Sequence, residues 1–161
     1  MPRNERPTIT FPDAEFIFRT NFRGEKSQYN KTGRKEFNVI VDGEDLASQL
    51  IQDGWNVKHT TVREEGDLPT YFLPVTVSFD NYPPDVYLID SVTRKRVKLD
   101  DDTIGQLDYA DIVKVNLEVS GYTWTFDGRS GIKAYASILH VFVKPNPFAD
   151  DLEDEEEPLP F

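Results

Sequence analysis

The sequence contains no cysteine, only two histidines and no long hydrophobic run, and each absence excludes a class of protein. Without cysteine there can be neither a disulfide nor a thiolate metal site. His59 and His140 are far apart, and neither has a second His or Cys at metal-ligand spacing. No stretch approaches the roughly 20 apolar residues that span a bilayer, and the N-terminal residues lack the apolar run of a signal peptide. We therefore expect a soluble, cytoplasmic protein with no metal and no cofactor.

Catalytic motifs are also missing, and the acidic residues have a simpler explanation than catalysis. The sequence has no phosphate-binding glycine loop and no nucleophile elbow. Asp100, Asp101 and Asp102, with Asp108 and Asp111 downstream, suggest a metal-dependent nuclease. A short helix that begins after Asp102 explains the first three acids without a metal, because carboxylates cap exposed amides and favour the helix dipole. We therefore expect no enzyme activity, and keep a nuclease as a minor alternative.

Negative charge is concentrated at the C-terminus. Residues 149–161, which we call the acidic tail, contain seven acidic residues and no basic one; without them the net charge of −11 becomes −4. We expect this segment to be disordered, because it has too little apolar surface to offset the entropy of ordering. Its tip, Leu159, Pro160 and Phe161, is a small apolar anchor that suits a hydrophobic pocket on a partner. We interpret the tail as a partner-binding or self-regulating segment; the alternative is a solubilising appendage.

Positive charge is concentrated in two segments. Arg19–Lys35 contains six basic residues and one acid, Glu25. This segment favours an anionic partner, because local charge decides what a surface attracts. For the second cluster, Arg94–Lys98, three interpretations stay equally open: a second phosphate contact, a solvated turn, or a binding place for the acidic tail.

Most of the chain has the two-residue hydrophobic period of β-strands. The alternating segments are Phe16–Arg19, Phe37–Asp42, Tyr71–Phe79, Val113–Val119, Tyr122–Phe126 and Ile132–Val143. One helix is predicted over Glu44–Asp53, with Asp42 as its N-cap and Gly54 just after its end. A shorter helix should end near Tyr109, and Asp127–Gly131 is typical of a hairpin loop. The sequence predicts a mainly β protein, and a closed barrel is favoured over an open sheet because sheet edges need protection.

Three regions follow from this pattern. Residues 1–13 are proline-rich and polar, so we expect a flexible N-terminal arm. Residues 14–148 should form one β domain, and residues 149–161 are the acidic tail.

The segment Arg19–Lys35 combines cations, aromatic rings and amides in a glycine-containing loop between two strands. Single-stranded nucleic acid needs this mixture, because cations contact phosphates while aromatic faces stack on bases of any sequence. The alternative is an ordinary solvated hairpin loop. The predicted phosphate contacts are Arg19, Arg23, Lys26, Lys31 and Arg34, and the predicted stacking residues are Phe22 and Tyr29.

Both tryptophans have two open interpretations. Trp55, followed by the phosphate candidate Lys58, comes at a strand start and is favoured as a core residue over a stacking platform. Trp124 shares a face with Tyr122 and Phe126, and its core and stacking roles are equally weighted. Arg129 follows in the next loop, and Lys133 and Tyr135 share one face of the final strand. These last two favour a binding face, since a lysine in a strand must reach water.

Several short motifs resemble the single-stranded DNA-binding proteins encoded by tailed bacteriophages. The similar elements, in chain order, are Asn21–Gly24, Tyr29 with Asn30, Gly33 with Arg34, Phe37, Gly54–Lys58, Trp124 and Gly128–Tyr135. Each is weak alone, but their order and the acidic tail after them make the resemblance fairly specific. The Leu-Pro-Phe end is also similar to the Ile-Pro-Phe end of bacterial proteins with this function.

The resemblance implies an OB-fold, a five-stranded barrel with an intervening helix, that coats single-stranded DNA without sequence preference. It also implies that the tail contacts replication or recombination proteins in the cytoplasm of the infected host. The chain lacks the long glycine-rich linker of bacterial versions, so monomer and dimer both remain open. The rival from another class is a virion structural or assembly protein built on a β-sandwich.

Overall fold

The structure is a computed structural model, and it describes residues 6–28, 30–62, 64–80 and 83–145 of the chain. Within these ranges the chain forms nine strands, one α-helix and one 3₁₀ helix, all in the order that follows. The elements are β1 (Thr8–Phe11), β2 (Phe16–Asn21), β3 (Lys35–Val41), α1 (Glu44–Asp53), β4 (Lys58–His59), β5 (Tyr71–Val77), β6 (Asp85–Asp90), β7 (Arg96–Leu99), the 3₁₀ helix (Ile104–Tyr109), β8 (Ile112–Phe126) and β9 (Arg129–Val143). The prediction of a mainly β protein is confirmed.

Five strand positions close into a ring. The ladder order is β1-β8-β9-β5-β3-β2, in which β5 and β9 run parallel and the other neighbours antiparallel. β1 and β2 are almost continuous along the chain, and the segment between them is hydrogen-bonded to β8 on one side and to β3 on the other. The amide of Ala14 donates to the carbonyl of Val115 in β8 at 2.6 Å, and the amide of Ile40 in β3 donates to the carbonyl of Glu15 at 2.8 Å. The first strand therefore joins β8 to β3, as the predicted barrel requires, and the β-sandwich alternative does not fit.

The core lies inside this ring, and the two-residue period decides which side chains enter it. Leu73, Val75 and Val77 of β5 are buried, as are alternate residues of β3, β8 and β9. The largest fully buried side chains include Phe22, Phe37, Leu73, Leu117 and Leu139. Residues between them point away from the core, so each barrel strand offers a second row of side chains to solvent.

Helix α1 has the predicted bounds, but its N-terminus differs from the prediction. The N-cap is Gly43, with no side-chain capping bond, rather than Asp42. Gly54 ends the helix in the left-handed conformation at φ 108°, as predicted. Its carbonyl accepts the amide of Ile132 at 2.9 Å, which fastens the end of the helix to β9.

Two further expectations are corrected by the strand pairing. Thr8–Phe11 is not a loose arm: it forms β1, paired with Leu117–Ser120 of β8. The β8–β9 loop is shorter than predicted, because Phe126 already pairs with Arg129. Only Asp127 and Gly128 remain in the turn, at φ 54° and 77°. Positive φ at both turn residues matches the twist of a two-residue hairpin, so both strands continue to the turn as one long arm.

Candidate nucleic-acid interface

The outward side chains of β5, β9 and β8 form one continuous surface, which we call the outer face. Thr76 of β5 is opposite Tyr135 of β9, and Lys133 of β9 is opposite Tyr122 of β8. Residues directly opposite each other point to the same side of a sheet. The two groups predicted separately, the aromatic residues of β8 and Lys133 with Tyr135 on β9, are therefore neighbours on one face.

A groove of about 450 Å³ crosses this outer face. Pro74 and Thr76 of β5 line one side, and Trp124 and Lys133 line the β8–β9 side. The indole of Trp124 lies on Gly131, where an added Cβ would meet the ring at 2.8 Å. Trp124 is 40% exposed, so its ring is held on one side by the backbone and remains accessible from solvent. A groove with an aromatic wall and a lysine can accept a base and a phosphate together.

Tyr135 and Lys133 are paired within the face. The Lys133 Nζ lies 5.4 Å from the centroid of the Tyr135 ring. This contact orients the ammonium over an aromatic surface, and it is weakly attractive, since cation–π contacts at exposed sites contribute about 0.5–1 kcal/mol. The lysine therefore stands beside a ring on which a base can stack.

An aromatic pair of one exposed and one half-buried ring extends the outer face, and sequence reasoning missed it. Phe18 is 59% exposed and meets Phe72 edge-to-face, with ring centroids 5.1 Å apart. Phe72 lies next to Pro74 on the side of β5 opposite the core, and it is paired with Ile40 and Lys58. The alternation that predicted the core face of β5 could also have predicted this outward pair, because Phe72 and Pro74 occupy the positions between the buried residues.

Phe18 reaches the surface through a distortion of β2. The pairing with β3 shifts between Ile17 and Asn21, and Phe18 has φ 64°. Such a conformation is costly for a bulky residue and clusters at functional positions. The bulge turns Phe18 away from the inward direction that Phe16 takes.

The segment between β2 and β3 is built around a buried asparagine. Asn30 is 4% exposed; its amide nitrogen donates to the carbonyls of Glu25 and Arg34 at 3.2 and 2.9 Å, and its amide oxygen accepts the Arg34 N–H at 2.9 Å. Gly24 and Gly33 approach so closely that a Cβ at Gly24 would lie 2.7 Å from the carbonyl oxygen of Gly33. The segment between β2 and β3, which we call the clasp, is thus held by internal hydrogen bonds. It places Lys26 and Lys31 at the surface.

One carboxylate ties this clasp to the 3₁₀ helix. Asp108 accepts hydrogen bonds from the Thr20 hydroxyl at 2.7 Å and from the amides of Phe22 and Arg23 at 2.9 and 3.0 Å. It also pairs with the Arg23 Nε at 3.1 Å. Its side chain is only 5% exposed, so these donors replace its hydration.

Arg23 therefore has a structural role that the sequence did not reveal. Its guanidinium binds both Asp108 and Glu25 and lies 4.8 Å from the Tyr109 ring centroid. Burial acts to lower its pKa, but the Asp108 hydrogen bond and the neighbouring acids raise the pKa above the ordinary value. Two carboxylates therefore surround this charge, and contact of Arg23 with a phosphate stays a prediction.

Two predicted stacking residues belong to the core. Phe22 is 0% exposed and packs against Phe37 at 5.2 Å and Phe16 at 6.0 Å between ring centroids. It faces inward because its backbone amide is held by Asp108. Trp55 is 5% exposed beneath Gly121 and Ile132, which corrects its inclusion in the binding set and supports the core interpretation that was favoured for it. Phe22 has no surface open to a base, and Trp55 offers only a small edge at the bottom of the groove.

The remaining predicted cations are at the surface. Arg34 forms an exposed ion pair with Glu36 at 3.3 Å. The others make no ion pair with another residue in the described ranges, and they are Arg19, Lys26, Lys31, Lys58, Arg129 and Lys133. Tyr29 and the tail tip, Leu159, Pro160 and Phe161, lie outside the described residues.

The acids that suggested a nuclease have structural partners. Asp100 accepts the Thr103 hydroxyl and the amides of Asp102 and Thr103, each at 3.0 Å, and these bonds hold the pKa of its carboxyl below the ordinary value. Asp101 pairs with Lys35, and Asp108 with Arg23. The described part of the chain contains no group of three or more His, Asp or Glu side chains placed to hold a metal. None of its helices has the length and apolar character needed to traverse a bilayer.

The closed five-position ring has the strand order of an OB-type barrel, with β3 and β5 as its second and third positions. Proteins of this class commonly use the face of these two strands and two neighbouring loops for oligonucleotides, and the corresponding loops here are the Asn30 clasp and the β8–β9 turn. Residues 3–161 match the model of the family described as "Putative phage ssDNA-binding domain". The chain belongs to this family of bacteriophage proteins.

Two solved structures of one bacteriophage protein agree with the fold, and a second protein gives a weaker match. The single-stranded DNA-binding protein from bacteriophage Enc34 has a TM-score of 0.51 and 10% identity, covering 93% of this chain and 90% of the other. The same protein in complex with ssDNA has a TM-score of 0.50 and 8% identity, covering 88% and 89%. Gp2.5, a single-stranded DNA-binding protein encoded by bacteriophage T7, has a TM-score of 0.39 and 12% identity, covering 97% and 98%. No curated protein sequence matches the chain.

Proposed function

We propose that this protein coats single-stranded DNA without sequence preference during phage DNA replication or recombination, in the cytoplasm of the infected bacterial host. The observation that supports this best is the outer face, where Trp124 and Lys133 line one groove and the Tyr135 ring lies beside Lys133. Aromatic faces stack on any base, and a lysine or arginine that contacts a phosphate binds a group common to every nucleotide. A surface of these two elements binds the strand and reads little of its sequence.

The proposed interface combines the surface residues of the prediction with the pair that the structure adds. Phosphates are bound by exposed cations on β2, the clasp, β4 and the β8–β9 arm: Arg19, Lys26, Lys31, Arg34, Lys58, Arg129 and Lys133. Bases stack on Trp124 and Tyr135, and on Phe18 with Phe72 beside it. Tyr29 stays a prediction from its position in the clasp sequence.

The proposed activity is binding alone, with no catalysis. Of the acids that suggested a nuclease, Asp100 bonds within the turn before the 3₁₀ helix and Asp108 holds the clasp. Intact substrate after incubation with magnesium or manganese supports this part of the proposal, and cleavage contradicts it.

The acidic tail has two proposed roles. Its apolar tip recruits replication or recombination proteins, with Leu159, Pro160 and Phe161 as the contact. Its seven negative charges compete with DNA for the cationic surface, because a tethered polyanion acts at a high effective concentration.

A binding assay with poly-dT and a duplex of equal length tests the proposal. Tight binding to the single strand, little binding to the duplex, and similar affinity for mixed-sequence single strands are expected. Affinity should fall with salt at a log–log slope of roughly −0.7 per phosphate neutralised. A virion assembly protein binds neither nucleic acid in this way, and equal binding to strand and duplex also contradicts the proposal.

A further inference from the structure

The β6–β7 hairpin lies outside the barrel ring and carries a separate cationic surface. β6 adds to the second half of β9 in parallel, and β7 pairs only with β6 among the described strands. Four basic residues stand on the turn and β7, and the hairpin contains two acids, Asp85 and Asp90. The basic residues are Arg94, Lys95, Arg96 and Lys98, and all of them are exposed.

Two of these arginines are oriented by aromatic rings. The Arg94 guanidinium lies 5.2 Å from the Phe142 ring centroid, and that of Arg96 lies 5.5 Å from the Tyr87 centroid. Tyr87 in turn meets His140 edge-to-face at 5.6 Å. A stacked guanidinium keeps its N–H donors in its own plane, where carboxylate oxygens can reach them. The stacking also reduces the side-chain entropy that binding an anion removes.

The Asp90 carboxylate forms its hydrogen bonds within the turn. The Asp90 carboxylate accepts the amides of Val92 and Thr93, each at 2.9 Å. Lys98 lies 3.6 Å from Asp85 at the other end of the hairpin. The hairpin as a whole keeps an excess of positive charge, since its four basic residues outnumber its two acids.

The chain leaves the barrel beside this turn. Val143, the last residue of β9, is paired with Asp90, and its carbonyl accepts the Ser91 amide at 2.9 Å. Asp150, the first acid of the tail, is seven positions after Val143, and an extended chain of seven steps reaches about 25 Å. Arg94 is three residues from Ser91, a span of at most about 10 Å. The tail acids can therefore reach the turn without strain.

We infer that the acidic tail of this protein, residues 149–161, binds the basic β6–β7 turn around Arg94 and Lys95. This contact holds part of the tail population away from the outer face and so limits its competition with DNA. Charge complementarity and the chain's exit beside the turn carry the inference. The inference rests on the proposed function only where ssDNA affinity is the readout.

The first experiment compares ssDNA affinity with and without residues 149–161, in protein with and without the turn charges. The variant is Arg94→Asn with Lys95→Gln; asparagine is chosen because residue 94 has φ 67°, which asparagine tolerates. In the full chain this variant should bind oligo-dT roughly threefold more weakly, the change expected when two exposed charge pairs are lost. In the tail-deleted chain the same substitutions should change nothing.

The same comparison separates the other interpretations of the turn. Weaker ssDNA binding in both backgrounds overturns the inference and makes the turn a second phosphate contact. No change in either background also overturns it and leaves a solvated turn. The charge-preserving variant Arg94→Lys with Lys95→Arg is the matched control, and it should retain the affinity of the original chain.

The second experiment uses no DNA, so its outcome is independent of the proposed function. Because the chain has no cysteine, Leu152→Cys provides a single site for a nitroxide spin label. At low salt the label should broaden the amide NMR signals of residues 91–96 several-fold more than those of Thr76 and Tyr135. Broadening should disappear at high salt and in the Arg94→Asn, Lys95→Gln variant. Broadening confined to the outer face, or none anywhere at low salt, overturns the inference.

Discussion

Phe18 and Phe22 are four residues apart and have opposite surroundings. Phe22 is enclosed by Phe16 and Phe37, while Phe18 stands 59% exposed against Phe72. Hydrophobicity alone assigns both to the core. The difference comes from two backbone features that a sequence pattern does not display, the bulge at Phe18 and the amide of Phe22 bonded to Asp108.

This contrast gives a prediction for the two phenylalanines. Phe18→Ala should weaken binding to oligo-dT by about 1–3 kcal/mol, because it removes a stacking surface, and should leave stability nearly unchanged. Phe22→Ala should instead lower the free energy of unfolding by about 3–5 kcal/mol, because it opens a cavity in the core. Urea unfolding and an oligonucleotide titration of each variant measure the two effects. A large loss of stability in Phe18→Ala, with normal DNA binding by the folded fraction, contradicts the assignment.

At the scale of elements, β2, β3, β5, β8, β9 and α1 could be predicted because each has a local period. The four-residue strand β1 was assigned to a flexible arm, since it is short, follows a polar proline-containing segment, and pairs with residues more than 100 positions away in β8. The compact clasp was also hidden, because it depends on the buried Asn30 and on contact between Gly24 and Gly33. Local patterns specify elements, whereas long-range partners decide their ends.

The carboxylate of Asp108 should be essential to the joint between the clasp and the 3₁₀ helix. Asp108→Asn replaces one acceptor oxygen by a donor and removes the buried partner of Arg23, so it should cost about 1–3 kcal/mol of stability. Asp111→Asn is the matched control, since it removes an exposed ion pair with Lys144 at 3.7 Å. Its effect should stay within about 0.5 kcal/mol. Equal effects of the two substitutions in urea unfolding argue against the proposed joint.

At the scale of the whole molecule, charge separates into an acidic C-terminus and a barrel whose basic residues are concentrated in local clusters. The formal net charge of −11 conceals this, because seven of the negative charges lie in the last thirteen residues. The sequence could reveal the separation and the family resemblance, since both depend on composition and order. It could not reveal that Trp124 and Trp55 have different environments, because the strand pattern gave Trp124 equal weight as core and surface.

Tail deletion tests the proposed competition. Removing residues 149–161 should tighten ssDNA binding, most at low salt where the charges are least screened. Phe161→Ala should leave DNA affinity unchanged and weaken binding to a replication or recombination partner, since it alters only the apolar tip. If the truncated protein binds DNA no more tightly at low salt, the tail does not compete; if it also keeps its partners, the tail acts only as a solubiliser.

The central claim is that single-stranded DNA binds on the outer face against Trp124, and tryptophan fluorescence tests it most directly. The chain has two tryptophans, Trp55 buried at 5% exposure and Trp124 at 40%. Titration with oligo-dT should quench the emission of the original protein through stacking on Trp124. In Trp124→Phe the emission of Trp55 should remain and change far less through the same titration, because only 5% of Trp55 is exposed, while the protein still binds DNA with reduced affinity. Unchanged quenching in Trp124→Phe, or no quenching in the original protein when DNA is bound, would contradict the account.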